Sequence, residues 1–316
     1  SRIRVLNPAT GAVSTLQTSG ESYNWIERLT TDGTDIYFTS YVSGGSSSGY
    51  KLFKLSVADG VVSELQTSGG SDNSSSSSNI IGLASDGTDL FVARYSYGSG
   101  SSGTQVSRIA LQTGTVTSYT SSGGESLSYM SGMEKIGDSL FASSSNSIYE
   151  IELSGTSATV STLSLSGIDN STSVNFDKMT SSGNSLYLTG SSTNSPMYRV
   201  NLVQGGSGMT GETTIIEPTF TAASYYNTGT EVQLSYVGGL TTDGTALYVA
   251  DGSHKLIRKI DLTTSNISTL AGKLENYADG TGVNGEFLHP DKMVRIGTDI
   301  YVIWPGNTDD VDEEKR

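Results

Sequence analysis

One pattern of apolar and polar positions recurs six times along the chain. In each copy an apolar residue and a short run lead to a glycine, which is followed by two mostly polar residues and an apolar–aromatic pair. The copies lie at 29–38, 83–92, 133–142, 179–188, 240–249 and 293–302, with glycines at Gly33, Gly87, Gly137, Gly183, Gly244 and Gly297. Glycine beside Asp, Asn or Ser between two β-patterned runs is typical of a hairpin turn, because glycine tolerates positive φ. Each copy therefore predicts two antiparallel strands.

A second β-patterned hairpin follows five of the copies after a variable loop, so a full repeat predicts four strands, A to D, in a meander. The glycine spacings of 54, 50, 46, 61 and 53 residues are typical of propeller blades. The sixth copy lacks its second hairpin, but residues 2–17 have the pattern of one, and joining the chain ends gives a spacing of 52. We predict an all-β fold, a six-bladed β-propeller of four-stranded antiparallel blades. The N-terminal C and D strands pair with the C-terminal A and B strands to close it.

This reading predicts a single domain over 1–305, followed by an acidic tail at 306–316. The blades are expected at about 26–66, 80–120, 130–164, 176–217 and 237–271, with the last formed by 290–304 together with 2–17.

The clearest repeat resembles a known family. Residues 237–290 contain YVAD, IRKID and STLAG strands and a DG-rich linker ending in an aromatic residue and proline, and this order is similar to an NHL repeat. The segment IRVLNPATGAVSTLQ near the N-terminus keeps the C–D portion of that pattern, whereas the first four repeats keep only the glycine turn. The resemblance implies a propeller fold and does not by itself imply a function.

Composition excludes several functions. The chain has no cysteine, which excludes disulfides, thiolate metal sites and cysteine nucleophiles. Its net charge of −14 disfavours nucleic acid and anionic membranes as partners, and no apolar run is long enough for membrane insertion. The excess of Ser, Thr, Asn and Gly over Lys favours a secreted, periplasmic or cell-surface location. We expect a monomer or a weak oligomer.

One face of the predicted propeller varies far more than the other. The D–A and B–C loops share this face and differ in length, whereas the turns of the opposite face are short and uniform, so we expect a ligand at the variable face. Aromatic rings amid Ser, Asn and Gly suit a glycan or protein ligand. The predicted ligand-binding residues are Trp25, Tyr41, Tyr95, Tyr129, Tyr236 and His289. The alternative is that several tyrosines pack between blades.

Acidic residues form a second candidate site near the predicted channel. Aligning the A strands places Glu27, Asp177 and Asp291 at one level, where their oxygens are suited to Ca²⁺. The alternative is that each acid pairs with a basic neighbour, since Arg28, Lys178 and Lys292 follow them directly. A calcium site would favour a calcium-dependent hydrolase or lyase.

The chain has only two histidines, so the three-histidine zinc site of an NHL-like amidating lyase cannot be built. His254 or His289 with Asp251 or Asp291 is a candidate acid–base pair, although loop histidines need no such role. The leading hypothesis is a non-catalytic binding module. A structural repeat module of a surface assembly is a further alternative.

Overall fold

The computed structural model describes most of the chain, and the acidic tail predicted at 306–316 lies outside the described residues. Those are 2–23, 25–42, 49–68, 78–96, 103–124, 127, 130–144, 146–168, 175–190, 196–205, 208–217, 219–220, 234–272, 279–285, 287 and 289–304. Over these ranges the chain forms 28 strands and two single-turn 3-10 helices, Gly252–His254 and Gly282–Asn284. None of the helices in this part of the chain has the length and apolar character needed to cross a membrane.

The strands follow one another along the chain, with connections of very different length. In the first half of the chain they are β1 Arg2–Leu6, β2 Ala12–Leu16, β3 Ser19–Gly20, β4 Ile26–Thr31, β5 Ile36–Val42, β6 Gly49–Leu55, β7 Val61–Glu64, β8 Ser78–Ser85, β9 Asp89–Ser96, β10 Gly103–Ala110, β11 Val116–Gly124, β12 Gly132–Ile136, β13 Ser139–Ser144 and β14 Ser147–Ser154. In the second half they are β15 Ser157–Thr162, β16 Ser164–Ser166, β17 Phe176–Ser182, β18 Ser185–Gly190, β19 Met197–Gly205, β20 Gly208–Ile216, β21 Thr219–Phe220, β22 Val237–Thr242, β23 Ala246–Asp251, β24 Leu256–Asp261, β25 Asn266–Gly272, β26 Gly280–Thr281, β27 Lys292–Ile296 and β28 Asp299–Trp304.

These strands form five sheets in the described residues, four of five strands and one of eight. Four consecutive strands repeatedly pair as an antiparallel meander, as in β4–β7, β17–β20 and β22–β25. The eight-stranded sheet contains two such meanders, β8–β11 and β12–β15, which are joined where the end of β11 pairs in parallel with β15. The predicted all-β, propeller-like arrangement is confirmed.

The two ends of the chain meet in one sheet. Strand β1 pairs antiparallel with β28, in a register that runs from Arg2 opposite Trp304 to Leu6 opposite Ile300. The order β2-β1-β28-β27 makes a four-stranded meander from residues at opposite ends of the sequence. This is the pairing predicted for the chain ends.

Apolar clusters lie between neighbouring meanders and hold them together. Phe38 and Phe53 of the β4–β7 meander pack with Ile303 of β28 in one cluster. On the other side of the meander that β2, β1, β28 and β27 form, Leu6 and Ile300 pack with Tyr248 of β23. The meander made from both chain ends is therefore held by apolar burial on both sides, which is the main stabilising term in such a fold.

The first strands of the meanders surround a central channel. Strands β4, β8, β12, β17, β22 and β27 contact one another in that cyclic order, and β27 contacts β4. Their approach is close enough to require glycine: a Cβ added at Gly238 would lie 2.6 Å from Asp291 Cα, and one at Gly132 would lie 2.8 Å from Met179 Cβ. Larger side chains at these positions would push the inner strands apart.

The predicted hairpin turns are confirmed. All six glycines of the repeated phrase have positive φ, between 55° at Gly137 and 92° at Gly87. In the fifth repeat the Asp243 carboxylate accepts hydrogen bonds from the amides of Thr245 and Ala246, both at 2.8 Å, and from the Tyr248 hydroxyl at 2.8 Å. These bonds to a charged acceptor lower the pKa of Asp243 to about 2, despite partial burial.

The outer edges of the sheets are covered by segments that the sequence pattern did not predict. The stretch that leaves one meander pairs with the outermost strand of the next: β3 pairs with β7, β16 with β20, β21 with β25 and β26 with β2. The end of β11 likewise pairs with β15, the outermost strand of the next meander. Because an unpaired outer strand invites association with other chains, this covering limits edge-to-edge aggregation.

A cross-link between the chain ends tests the closing pair. Val5 and Tyr301 lie opposite each other, and paired Cα atoms in antiparallel sheets are about 4.5–5.5 Å apart, within disulfide range. The chain has no other cysteine, so V5C/Y301C should form one disulfide between its ends. We expect the oxidised variant to be about 2–4 kcal/mol more stable to unfolding than the same variant reduced.

The reduced variant is the control for the loss of the buried Tyr301 ring. Thiol titration and thermal unfolding measure the effect. Free thiols after oxidation, or equal melting temperatures in the two redox states, would contradict the β1–β28 pairing.

Candidate functional site

The central channel opens on the variable face. Each inner strand starts at that face and ends at a uniform glycine hairpin, so the first residues of these strands lie at the mouth. All six inner strands contribute to the lining, which includes Leu29, Leu83, Met133, Met179, Leu240 and Met293. The space measures about 110 Å³, below the roughly 300–1,000 Å³ of pockets that enclose small molecules. The channel can admit water or one small polar group, and a larger ligand must lie across the mouth.

Three cations line this channel. Arg28 of β4, Lys178 of β17 and Lys292 of β27 occupy equivalent positions, directly before the Leu or Met that lines the channel. The other three inner strands have glycine at this position. The Arg28 guanidinium donates to the Met130 carbonyl at 2.9 Å. The lysines are about a quarter exposed, at 26% for Lys178 and 22% for Lys292, so their charges remain accessible from the mouth.

The acids predicted to bind calcium are engaged by their neighbours. Lys178 Nζ lies 3.0 Å from Asp177, and Lys292 Nζ lies 3.1 Å from Asp291. Glu27 accepts a hydrogen bond of 2.7 Å from the Tyr50 hydroxyl. Over the described residues, three or more His, Cys, Asp or Glu side chains do not gather in a group fit for a metal ion. The calcium site, and the hydrolase or lyase that depends on it, stay predictions.

Glu134 is a channel residue that the sequence analysis did not single out. It lines the channel from β12, and its carboxylate accepts a 2.8 Å hydrogen bond from Ser181. Although some of its surface is open to the channel, protein surrounds it closely, and this desolvation raises its pKa to about 7 against the opposing effect of the Ser181 bond. Alignment of the repeats could have identified Glu134, because it is the only acidic residue at this position of the six inner strands. The equivalent residues of the other five are Thr30, Ala84, Thr180, Thr241 and Val294.

Two predicted aromatic residues lie side by side at the first meander. Trp25 directly precedes Ile26, which pairs with Ser40, and Tyr41 directly follows Ser40. Both rings are exposed, Trp25 by 51% and Tyr41 by 44%. Tyr41 also packs edge-on against Tyr50, with ring centroids 5.4 Å apart. Tyr50, whose hydroxyl bonds to Glu27, pairs with Tyr41 in the neighbouring strand. We call Trp25, Tyr41 and Tyr50 the aromatic platform, because they occupy neighbouring positions at the mouth end of the first meander.

The other predicted aromatics differ in their surroundings. Tyr95 is partly buried against the core between the second and third meanders, which agrees with the alternative that some tyrosines pack between blades. Tyr129 lies outside the described residues.

Tyr236 and His289 come together beside the fifth meander. Their rings meet edge-on with centroids 5.8 Å apart, and Tyr236 is 57% exposed with a φ of 49°. The carbonyl of Tyr236 accepts the Gly252 amide at 3.0 Å, which holds this unusual backbone conformation. These two predicted ligand-binding residues are therefore neighbours in the structure, and their role in ligand binding stays a prediction.

The predicted contact between a histidine and an acid occurs at His254. Its Nδ1 lies 2.8 Å from Asp251, which is fully buried and also accepts from Arg258 Nε at 3.4 Å and from the Ser235 amide at 3.2 Å. Arg258 is itself buried and bonds to Thr269 at 2.6 Å. These contacts tie the loop after β23 to β24 and β25, so the cluster has a clear structural role.

Comparison with known proteins identifies the fold and no family. No family model and no curated protein matches the chain, so the resemblance to NHL repeats stays a prediction. Among solved structures, an auxiliary nutrient binding protein from Bacteroides ovatus matches with a TM-score of 0.57 and 12% identity, over 96% of this chain and 77% of that one. A nidogen/laminin complex matches with a TM-score of 0.49 and 13% identity, over 85% of this chain and 98% of that one.

Replacing Glu134 tests the electrostatics of the channel. Because the pKa of Glu134 is about 7 in the folded chain against a usual 4.5, only the unfolded chain loses this proton between those pH values, and stability falls as pH rises. Glu134→Gln removes this effect. We expect the variant to gain stability relative to the parent between pH 4.5 and 7, by on the order of 2 kcal/mol.

Chemical denaturation at several pH values measures this gain. Glu152→Gln, at an exposed position on β14, is the control for loss of one carboxylate. A difference between parent and Glu134→Gln that does not change with pH would contradict the desolvated state of Glu134.

Proposed function

We propose that this chain is a six-bladed propeller that acts as a non-catalytic binding module and recognises a glycan at its variable face. The observation that carries the proposal is the exposed pair Trp25 and Tyr41 beside the channel mouth. Neighbouring exposed aromatic residues are a common feature of ligand-binding surfaces. Two adjacent rings offer flat apolar surface to the C–H groups of a sugar, and nearby Glu27 and Arg28 supply polar groups for its hydroxyls.

The blade count rests on the inner strands and the chain ends. Six inner strands contact one another in a closed cycle, and each begins a meander of four antiparallel strands. In this interpretation the eight-stranded sheet is two blades joined at their outer edges, and the β1–β28 pair closes the sixth blade. The domain extends over 1–305.

The location and mode of action follow from the same features. A cysteine-free, acidic chain rich in Ser and Gly suits an exported protein, and we place it outside the cytoplasm, as a monomer or weak oligomer. The solved structure with a TM-score of 0.57 is an auxiliary nutrient binding protein, and this likeness supports a binding role here. The narrow channel favours a ligand that lies across the mouth, as an oligosaccharide chain can.

A glycan array followed by calorimetry tests the proposal. We expect Trp25→Ala and Tyr41→Ala each to weaken binding about tenfold, because stacking on one ring contributes about 1.4 kcal/mol. Ile215→Ala is the control, since Ile215 is 55% exposed on β20 and belongs to no aromatic cluster described above.

Two results would contradict glycan recognition at this platform. One is an array on which no glycan binds above background. The other is binding that Trp25→Ala and Tyr41→Ala leave unchanged while both variants keep the parent melting temperature.

A further inference from the structure

The channel is lined by more cations than acids, although the whole chain is acidic. The net charge of the protein is −14, yet among the described residues Arg28, Lys178 and Lys292 line the channel together with two acids, Glu27 and Glu134. Asp177 and Asp291, which precede the lysines, are not part of the lining. Arg28, Lys178 and Lys292 therefore line the lumen, and Asp177 and Asp291 each contact the neighbouring lysine, at 3.0 Å and 3.1 Å.

The two lysines retain hydrogen-bonding capacity. An ammonium group has three N–H donors, and each lysine directs one to its neighbouring aspartate, at 3.0 Å for Lys178 and 3.1 Å for Lys292. The remaining donors are available to a group that enters the mouth. Because both side chains are largely removed from solvent, their attraction for a negative charge is stronger than at an open surface.

The two acids of the lining, Glu27 and Glu134, repel a negatively charged group in the mouth only weakly. Glu27 is hydrogen-bonded by the Tyr50 hydroxyl at 2.7 Å. Burial raises the pKa of Glu134 to about 7, so this carboxyl is protonated in much of the protein near neutral pH. A negative group in the mouth therefore meets three cations, two of which are also paired with Asp177 and Asp291.

The aromatic platform lies close to one of the cations along the chain, because Trp25 directly precedes β4 and Arg28 is on β4. Trp25 precedes Arg28 by three residues, which corresponds to about 10 Å at the rise of a β-strand, about the length of a disaccharide. Lys292 lies on β27, whose strand contacts β4 directly. One ligand can therefore contact the platform and the cations together.

We propose that the glycan bound at this face is acidic, with a uronic acid carboxylate held in the channel mouth by Lys178, Lys292 and Arg28 while a neighbouring sugar ring stacks on Trp25 and Tyr41. The inference rests on the proposed function and specifies its ligand class. A space of about 110 Å³ accommodates a carboxylate, and the rest of the sugar stays at the mouth.

Calorimetry with paired ligands tests the inference. The probes are tetrasaccharides of galacturonate, glucuronate and mannuronate, each compared with the same sugar after its carboxylates have been reduced to alcohols. We expect at least one acidic probe to bind at least tenfold more tightly than its reduced partner. Its affinity should fall as salt is raised, because the interaction is ionic.

Variants assign the effect to the channel. The change K178M/K292M keeps the apolar stems and removes the charges, and it should weaken the acidic probe at least tenfold while leaving the reduced probe unchanged. Lys292→Arg keeps the charge beside Asp291 and should retain most of the affinity. Lys259→Met, on β24 away from the channel, is the control for loss of a lysine, and melting temperatures verify folding.

The outcomes separate this inference from the proposed function. If the reduced sugars bind as tightly as the acidic ones and Trp25→Ala abolishes both, the acidic ligand class is wrong and glycan binding at the platform stands. If K178M/K292M binds the acidic probe as the parent does, the channel mouth is not the carboxylate site. If neither the probes nor any array glycan binds, both proposals are wrong.

Discussion

The pairing of β1 with β28 is the interaction on which the rest of the arrangement depends. It joins residues from the two ends of a 316-residue chain, from Arg2 with Trp304 to Leu6 with Ile300. Without it, β27 and β28 would be a two-stranded hairpin, too small to cover the apolar faces of both neighbouring sheets. Phe38 and Tyr248 would then lose the partners that bury them. The cycle of inner strands would open, and the residues of the channel mouth would no longer face one another.

Closure of that cycle also limits what the channel can hold. The inner strands approach until glycine is required at Gly132 and Gly238, and the remaining space of about 110 Å³ is too small for a whole sugar. The cationic side chains that line it in the described residues are Arg28, Lys178 and Lys292. Recognition must therefore combine a small group inside the mouth with a larger surface beside it, and Trp25 with Tyr41 is the exposed surface next to Arg28.

The sequence predicted the features that depend on local patterns. Glycine at each hairpin and the matching half-patterns at the chain ends were sufficient for the turns and for the β1–β28 pair. Covering of the outer strands was not predictable, because β3, β16, β21 and β26 have two or three residues each and no hydrophobic period. The environment of Glu134 depends on strands distant in sequence, as does the difference between exposed Tyr41 and half-buried Tyr95. Only packing distinguishes side chains that look alike in a sequence.

In the proposed mode of binding, one ligand contacts the aromatic platform and the channel mouth together. A crystal structure of the chain with the tightest-binding uronate tetrasaccharide tests it most directly. We expect a sugar ring over Trp25 and Tyr41, with a carboxylate oxygen within hydrogen-bonding distance of Lys292 or Lys178. A sugar bound at the face opposite the mouth, on the outer strands, or at the mouth without contact to either lysine would contradict this mode of binding.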